Sequence, residues 1–183
     1  MQKVIAGVAS LLLAAASLVA PAAPVPRISP EFAIVPPSGS GQTLLLSALK
    51  GKVVVMEFLF VKSEHCLRVL RTLSKLQDEL GARGFQPVGI VFDPPNTSVD
   101  GRQLAATMRD YFKLTFPVGY TSKEAVDHYL GRTQQEILSI PQVIVIDRTG
   151  TIRAASGGRG GDLSLEDESS LRALIGKLLD ESH

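Results

Sequence analysis

Cysteine is the most informative scarcity in this sequence, because 183 residues contain only one, Cys66. One thiol cannot form a disulfide within its own chain, so the protein is not a small scaffold held together by disulfide bonds. It also cannot supply a zinc site built from several cysteines. Any thiol chemistry of this chain must therefore use a single sulfur atom.

Net charge is nearly absent as well. The chain has 19 Lys and Arg residues against 18 Asp and Glu residues, for a formal net charge of +1. A protein that binds nucleic acid through its overall field needs a basic excess, so we expect no nucleic-acid partner. Hydrophobic residues make up 45% of the chain and charged residues 20%. That balance is typical of one globular domain and excludes a disordered chain.

Residues 1–22 have the three parts of a secretory signal peptide. Lys3 precedes an apolar run, and Ala20 and Ala22 occupy the −3 and −1 positions of a cut after Ala22. The apolar run of about 17 residues is short for a membrane span, so a retained anchor is the weaker alternative. We expect an exported protein, periplasmic or extracellular, with no membrane contact unless this segment is retained.

The rest of the chain predicts a linker and one domain. Residues 23–30 are rich in proline and predict the linker, and the domain occupies residues 31–183. Two short segments, 31–35 and 43–46, predict an N-terminal hairpin. Continuous apolar runs predict strands buried on both faces at residues 53–60, 87–92 and 141–146. The last of these is followed by a turn and a further strand.

Apolar residues that recur every three or four positions predict four helices. The first begins at Ser63, a good N-cap, and continues to about residue 82. The second carries Met108, the third ends at Leu130 behind a capping box of Thr121 and Glu124, and the fourth is C-terminal. Strands that alternate with helices predict an α/β fold whose sheet is covered on both faces.

A family resemblance extends over about residues 28–180. Its segments are Pro30-Glu31-Phe32, the run 46–52, a strand leading straight into a helix with a thiol in its first turn, Phe116-Pro117-Val118, and the run 140–152. These are similar to the thioredoxin superfamily, most closely to exported TlpA-like thiol–disulfide oxidoreductases and the AhpC/TSA (redoxin) family. The resemblance implies a thioredoxin-like fold, a central mixed β-sheet flanked by helices, with an N-terminal β-hairpin extension.

The sequence departs from that family at the active-site motif. Members have Cys-x-x-Cys where this chain has Ser63-Glu64-His65-Cys66. A dithiol enzyme attacks with one thiolate and resolves the mixed disulfide with the other, so this chain cannot complete the dithiol cycle alone. Peroxiredoxins also resemble the motif, since their reactive thiol comes last in Thr/Ser-x-x-Cys. However, Leu59 and Pro141 stand where that family places a proline and an arginine.

Two interpretations of Cys66 stay open. It shares a helix face with Leu70 and Leu73, which predicts a small buried hydrophobe. It also lies in the first helical turn, where the helix dipole favours a thiolate. His65 is a candidate proton donor or metal ligand, with an exposed residue beside the active loop as the favoured alternative. No cofactor and no metal is expected, since one His and one Cys make a poor metal site.

Three further residues are implicated by the resemblance. It implies that the Ile140–Pro141 peptide bond is cis and that the backbone there pairs with substrate. It also implies that Glu57 is a buried acid behind the thiol. Burial would raise the pKa of this carboxyl, which could then exchange a proton with Cys66. The alternative is that the strand lies at an edge of the sheet and Glu57 faces water.

These observations predict an exported protein with thiol-dependent redox activity through a single cysteine. The candidate catalytic residues are Cys66, Glu57, Ser63 and His65, and the candidate substrate-binding residues are Ile140 and Pro141. The expected partner is a thiol or disulfide protein, or a peroxide. The alternative is a non-catalytic module of the same fold that holds an extended peptide or a partner protein.

Overall fold

The structure, a computed structural model, describes residues 24–37, 41–92, 100–133, 137–157 and 161–181. The predicted signal segment 1–22 lies outside the described residues. Among these described residues there are eight strands: β1 (Arg27–Ile28), β2 (Ala33–Ile34), β3 (Leu44–Leu45), β4 (Val53–Leu59), β5 (Phe85–Phe92), β6 (Val118–Thr121), β7 (Gln142–Ile146) and β8 (Thr151–Ala155). The four helices are α1 (Glu64–Leu80), α2 (Gly101–Tyr111), α3 (Lys123–Leu130) and α4 (Glu168–Asp180).

Six strands form a mixed sheet in the order β1-β8-β7-β4-β5-β6. Strands β4, β5 and β6 are parallel, and β7 runs antiparallel to both β4 and β8. The central position of β4 explains its continuous apolar sequence, because all of its residues are buried. Strands β2 and β3 form the short N-terminal hairpin.

The sheet separates two hydrophobic clusters. Alternate side chains of a strand point to opposite faces, so Val53, Val55 and Leu59 join one cluster while Val54, Met56 and Phe58 join the other. The first cluster contains the apolar stripes of α1, α2 and α4, and the second contains that of α3. The predicted thioredoxin-like α/β fold is confirmed.

Three local features differ from the predictions. Arg27–Ile28, within the predicted linker, pairs with β8 and extends the sheet. Strand β6 was not predicted, because it is only four residues long and two of them are half-buried, so it shows no continuous apolar run. The predicted capping box at Thr121 was wrong by one position, since Ser122 is the N-cap of α3 and its Oγ accepts from the Ala125 N–H.

Candidate functional site

The site begins where β4 ends and α1 starts. Ser63 has extended backbone angles, and its Oγ accepts a hydrogen bond from the Cys66 backbone N–H at 3.4 Å. One of the first four N–H groups of the helix is satisfied in this way. The prediction that Ser63 caps this helix is confirmed. The same contact places residues 63 and 66 on one turn, as the Cys-x-x-Cys spacing of the family requires.

Cys66 is a buried free thiol with 0% exposure. It belongs to the hydrophobic cluster that also contains Leu70 and Leu73, four and seven positions on along α1. Burial raises the pKa of this thiol. Hydrogen bonds with the Ser63 side chain and the Phe60 backbone lower the pKa, but they do not cancel the effect of burial. A protonated, enclosed sulfur is a poor nucleophile, so the geometry favours the small-hydrophobe interpretation of Cys66.

Glu57 lies on the same face of β4 as Val55 and Leu59, and therefore on the Cys66 side of the sheet. Its exposure is 0%, and neither carboxylate oxygen has a hydrogen-bond partner among the described residues. Burial raises the pKa of Glu57 well above its ordinary value, and the neighbouring Glu166 raises it further. The edge-strand alternative is wrong, because β4 pairs with a strand on each side.

A second carboxylate reaches the site from the C-terminal part of the chain. The 3₁₀ turn Leu163–Glu166 brings Glu166 Oε2 to 4.0 Å from His65 Nδ1. The His65 side chain is 68% exposed and that of Glu166 28% exposed. The sequence offered no signal for Glu166, since it is 101 positions from His65 and belongs to no motif. No three of the described His, Cys, Asp or Glu residues form a group that could hold a metal ion.

The predicted substrate-binding residues lie just before β7. The Ile140–Pro141 peptide bond is cis. Pro141 is buried, while the half-buried Ile140 packs against both hydrophobic clusters, including the one that contains Cys66. Within the described part of the chain, the Ile140 backbone makes no hydrogen bond. Ile137, three residues earlier, is 93% exposed.

The assembled site has clear chemical limits. It joins a capping hydroxyl, an enclosed thiol, a buried carboxyl without a partner, and a solvent-facing pair, His65 and Glu166. Glu57 can hold a proton beside Cys66, because burial raises its pKa well above the ordinary value. With Ser63 in the outer position, no second thiol is present to complete a dithiol cycle.

Solved structures resemble this fold closely. A thioredoxin-family thiol:disulfide interchange protein from Chlorobium tepidum TLS has a TM-score of 0.66 at 20% identity, with 86% of this chain and 99% of that chain covered. A secreted thiol-disulfide isomerase from Corynebacterium glutamicum has a TM-score of 0.64 at 19% identity, with 83% and 85% covered. At these identities the likeness shows the fold.

A family model describes more of the chain than the site alone. No curated protein sequence matches this one. The model of the AhpC/TSA family, however, matches residues 25–155, well over half of the chain. That span includes the strand with Glu57, the helix with Cys66 and the turn at Pro141. The chain therefore belongs to the AhpC/TSA family and has the thioredoxin fold.

Proposed function

We propose that this protein is an exported redoxin that has lost the dithiol cycle and holds an extended peptide segment of a partner protein. Membership of the AhpC/TSA family supports a function of the thiol–disulfide oxidoreductase type, with thiol or disulfide proteins as general partners. The observation that carries the peptide-holding function is the complete burial of Cys66, the single thiol. A protein disulfide cannot reach a sulfur that has no exposed surface.

Residues 137–141, called here the Ile140 edge, supply the binding surface. The Ile140 backbone makes no hydrogen bond to a described residue, and such a backbone at the start of a strand is suited to pair with another extended chain. The Ile140 side chain is anchored in the core, which holds the backbone in place. The exposed Ile137 adds an apolar contact on this edge.

A second exposed apolar residue, Leu163, follows a backbone segment that is hydrogen-bonded to the end of β8. Leu163 is 71% exposed and follows Asp162, whose N–H donates to the Ala155 carbonyl. The next residue, Ser156, contacts the Pro141 carbonyl through its hydroxyl. The backbone before Leu163 is thereby joined to the end of β8, next to the residue that contacts Pro141.

Export is supported by two observations of different kinds. Residues 1–22 have the pattern of a signal peptide. A structural neighbour from Corynebacterium glutamicum is a secreted thiol-disulfide isomerase. In the part of the chain that the structure describes, no helix has the length and apolar character to cross a membrane.

A thiol-free unfolded chain tests the peptide-holding function directly. The probe is reduced, carboxamidomethylated α-lactalbumin with a fluorescent label, and binding is followed by anisotropy. We expect the protein to bind it, and Ile137→Asp to weaken binding. Tyr111→Asp is the matched control, since Tyr111 is 78% exposed on α2, away from the Ile140 edge. No binding by the unmodified protein would contradict the proposal.

A one-cysteine redox function is the second candidate, because the unpartnered Glu57 lies beside Cys66. In that mechanism the Cys66 thiolate attacks one peroxide oxygen, the O–O bond breaks, and the other oxygen takes a proton and leaves as water or alcohol. Two external thiols then reduce the resulting sulfenic acid to the thiol; its oxygen leaves as water and the two external thiols become a disulfide.

Alkylation of Cys66 separates the two candidates. The protein is treated with iodoacetamide from pH 6 to pH 9, folded and in denaturant, and peroxide consumption is assayed alongside. We expect modification in denaturant only, and no peroxide consumption. Modification of the folded protein together with peroxide consumption lost in Cys66→Ser would favour the redox candidate.

Restoring the outer thiol tests whether the rest of the site is intact. Residues 63 and 66 lie on one helical turn, so Ser63→Cys should form a disulfide with Cys66 on oxidation. We expect this variant, unlike the native protein, to reduce a model disulfide such as insulin. A variant that forms the disulfide and reduces nothing would show that the surroundings of Cys66 no longer support exchange.

A further inference from the structure

Gln142 is a buried polar residue at the point where the Ile140 edge meets the sheet. It is 2% exposed and begins β7, whose other residues are all aliphatic. Its Nε2 donates to the Ser139 carbonyl at 2.5 Å and to Ser139 Oγ at 3.3 Å. A buried amide is costly unless it is hydrogen-bonded, so these two contacts account for its presence.

Gly157 provides the space that the Gln142 amide occupies. A Cβ atom on residue 157 would lie 1.6 Å from Gln142 Oε1 and 2.2 Å from its Cδ. No side chain larger than hydrogen fits there unless the amide moves. The lack of a side chain at residue 157 therefore leaves room for the Gln142 amide in its position against Ser139.

Ser156 acts on the other side of the same edge. The Val143 N–H donates to Ser156 Oγ at 2.8 Å, and this hydroxyl donates to the Pro141 carbonyl at 3.4 Å. The Ser156 N–H also donates to the Val143 carbonyl at 2.9 Å. The carbonyls of Ser139 and Pro141 are thus both occupied from within the protein.

Between these two occupied carbonyls lies the Ile140 backbone, without a hydrogen bond to any described residue. We propose that Gln142 is a positioning residue, which together with Gly157 and Ser156 holds the chain on both sides of Ile140 so that its N–H and C=O remain available to an extended peptide. This inference rests on the proposed peptide-holding function and assigns the residues that prepare the binding edge.

The first test removes the donor while keeping the length of the side chain. Gln142→Met should bind carboxamidomethylated α-lactalbumin about tenfold more weakly than the native protein, the equivalent of one lost hydrogen bond. Gln86→Met is the matched control, because Gln86 is a half-buried strand glutamine on β5. We expect the control to bind like the native protein.

The second test uses pH to distinguish positioning from general destabilisation. In Gln142→Glu an ionised carboxylate cannot donate to the Ser139 carbonyl, whereas a protonated carboxyl can. Its affinity relative to the native protein should therefore fall at pH 8 and recover at pH 5. Glu57, Glu166 and His65 are present in both proteins, so the ratio of the two affinities removes their contribution.

The third test changes the packing around the Gln142 amide while residue 142 itself stays glutamine. Gly157→Ala should weaken binding as Gln142→Met does, because the new methyl group displaces the Gln142 side chain. Gly176→Ala is the control, since a Cβ there meets nothing within 4 Å. Urea unfolding of each variant checks that it is folded under the binding conditions.

The outcomes separate this inference from the proposed function. If the native protein does not bind the probe, the peptide-holding function is wrong and the inference is wrong with it. If the native protein binds and Gln142→Met binds within twofold of it, only the positioning role is wrong. If Gln142→Met does not fold, a ratio for Gln142→Glu that is flat between pH 5 and pH 8 equally overturns the inference.

Discussion

Glu57 and Asp147 are two buried carboxylates at opposite ends of the same pair of strands. Glu57 is 0% exposed and Asp147 is 5% exposed. Since β4 and β7 are antiparallel, with Phe58 opposite Gln142, the Cys66 site lies at one end and Asp147, directly after β7, at the other. Their burial is similar, but their surroundings are not.

Asp147 has a partner for each oxygen. Its Oδ1 accepts from the N–H and hydroxyl of Thr149 and from the Thr151 N–H, and its Oδ2 accepts from Arg153. Burial raises the pKa of Asp147, but these hydrogen bonds outweigh it and lower the pKa. Glu57 undergoes the same desolvation with no such partner among the described residues, so its pKa is raised.

Hydrogen-bond donors, and not burial alone, determine whether a buried carboxylate stabilises this fold. A buried carboxylate with donors on every side stabilises a turn, whereas one without them costs stability at neutral pH. Glu57, the buried acid without donors among the described residues, therefore lies at the end of the sheet where the protein tolerates a loss of folding stability. That end also contains Cys66.

The largest effect is expected at the satisfied carboxylate. Asp147→Ala removes the acceptors of the Thr149 turn and one partner of Arg153, and should destabilise the protein by about 2–3 kcal/mol at pH 7.5. Because the folded-state pKa of Asp147 is lowered, its stabilising contribution is present above the unfolded-state pKa. The contribution is lost as pH falls through the folded-state value.

Urea unfolding followed by circular dichroism measures this loss. Asp78→Ala is the control, since Asp78 is an exposed acid on α1, and it should change stability by less than about 0.5 kcal/mol. A cost for Asp147→Ala no larger than that of the control would contradict the contrast between the two ends.

The next effect should have the opposite sign. Glu57→Gln replaces an acid that resists ionisation with a neutral group of the same shape. A raised folded-state pKa gives full stability below the unfolded-state pKa and loses it as pH rises through the folded-state value. The native protein should therefore lose stability as the pH rises above the pKa of an ordinary Glu side chain, and Glu57→Gln should not show this loss.

The unfolding midpoint in urea, measured from pH 4 to pH 9, checks this difference. The two proteins should be similar in acid, and the variant should be the more stable at pH 9. Asp147→Asn serves as the contrasting case, because its deficit should grow with pH over the acidic limb instead. If the difference between the urea midpoints of the native protein and Glu57→Gln did not change between pH 4 and pH 9, the prediction would be wrong, and the Glu57 carboxyl would have a hydrogen-bond partner in the folded protein.

Periodicity made most of the fold and part of the site predictable from the sequence. The run from Val53 implied a central strand, and alternation along it puts Glu57 on the side of the sheet that α1 covers. Ser63 is recognisable as a cap from residue type alone. Each of these inferences uses neighbours in sequence, where the physical rule is local.

The rest of the site depends on contacts that no local rule reports. Glu166 reaches His65 only because the turn before α4 lies over the start of α1. The fit of Gln142 against Gly157 joins a residue of β7 to one just beyond the end of β8 and leaves no pattern in either segment. Such contacts depend on tertiary packing, which composition and spacing do not encode.

A smaller effect is expected at the helix cap. Ser63→Ala removes the acceptor of the Cys66 N–H and should cost about 1 kcal/mol of stability. It also removes a hydrogen bond that lowers the pKa of the thiol, so Cys66 should become still harder to ionise. Ser63→Asn retains a capping oxygen and should restore most of the stability, as urea unfolding will show.

The smallest effect concerns Glu166, the half-exposed neighbour of the buried acid. Its negative charge raises the pKa of Glu57, so Glu166→Gln should bring that pKa closer to the ordinary value. Stability would then stop falling at a lower pH, and the variant should be more stable in alkaline solution by a few tenths of a kcal/mol. Salt at 1 M should reduce the difference, because Glu166 is in contact with water.

Glu64→Gln, which removes an exposed carboxylate from the first turn of α1, is the control and should leave the pH profile of Glu57 in place. If Glu64→Gln shifted that profile as much as Glu166→Gln does, the pKa of Glu57 would depend on the overall surface charge at this end of the sheet. Glu166 would then have no specific effect on Glu57.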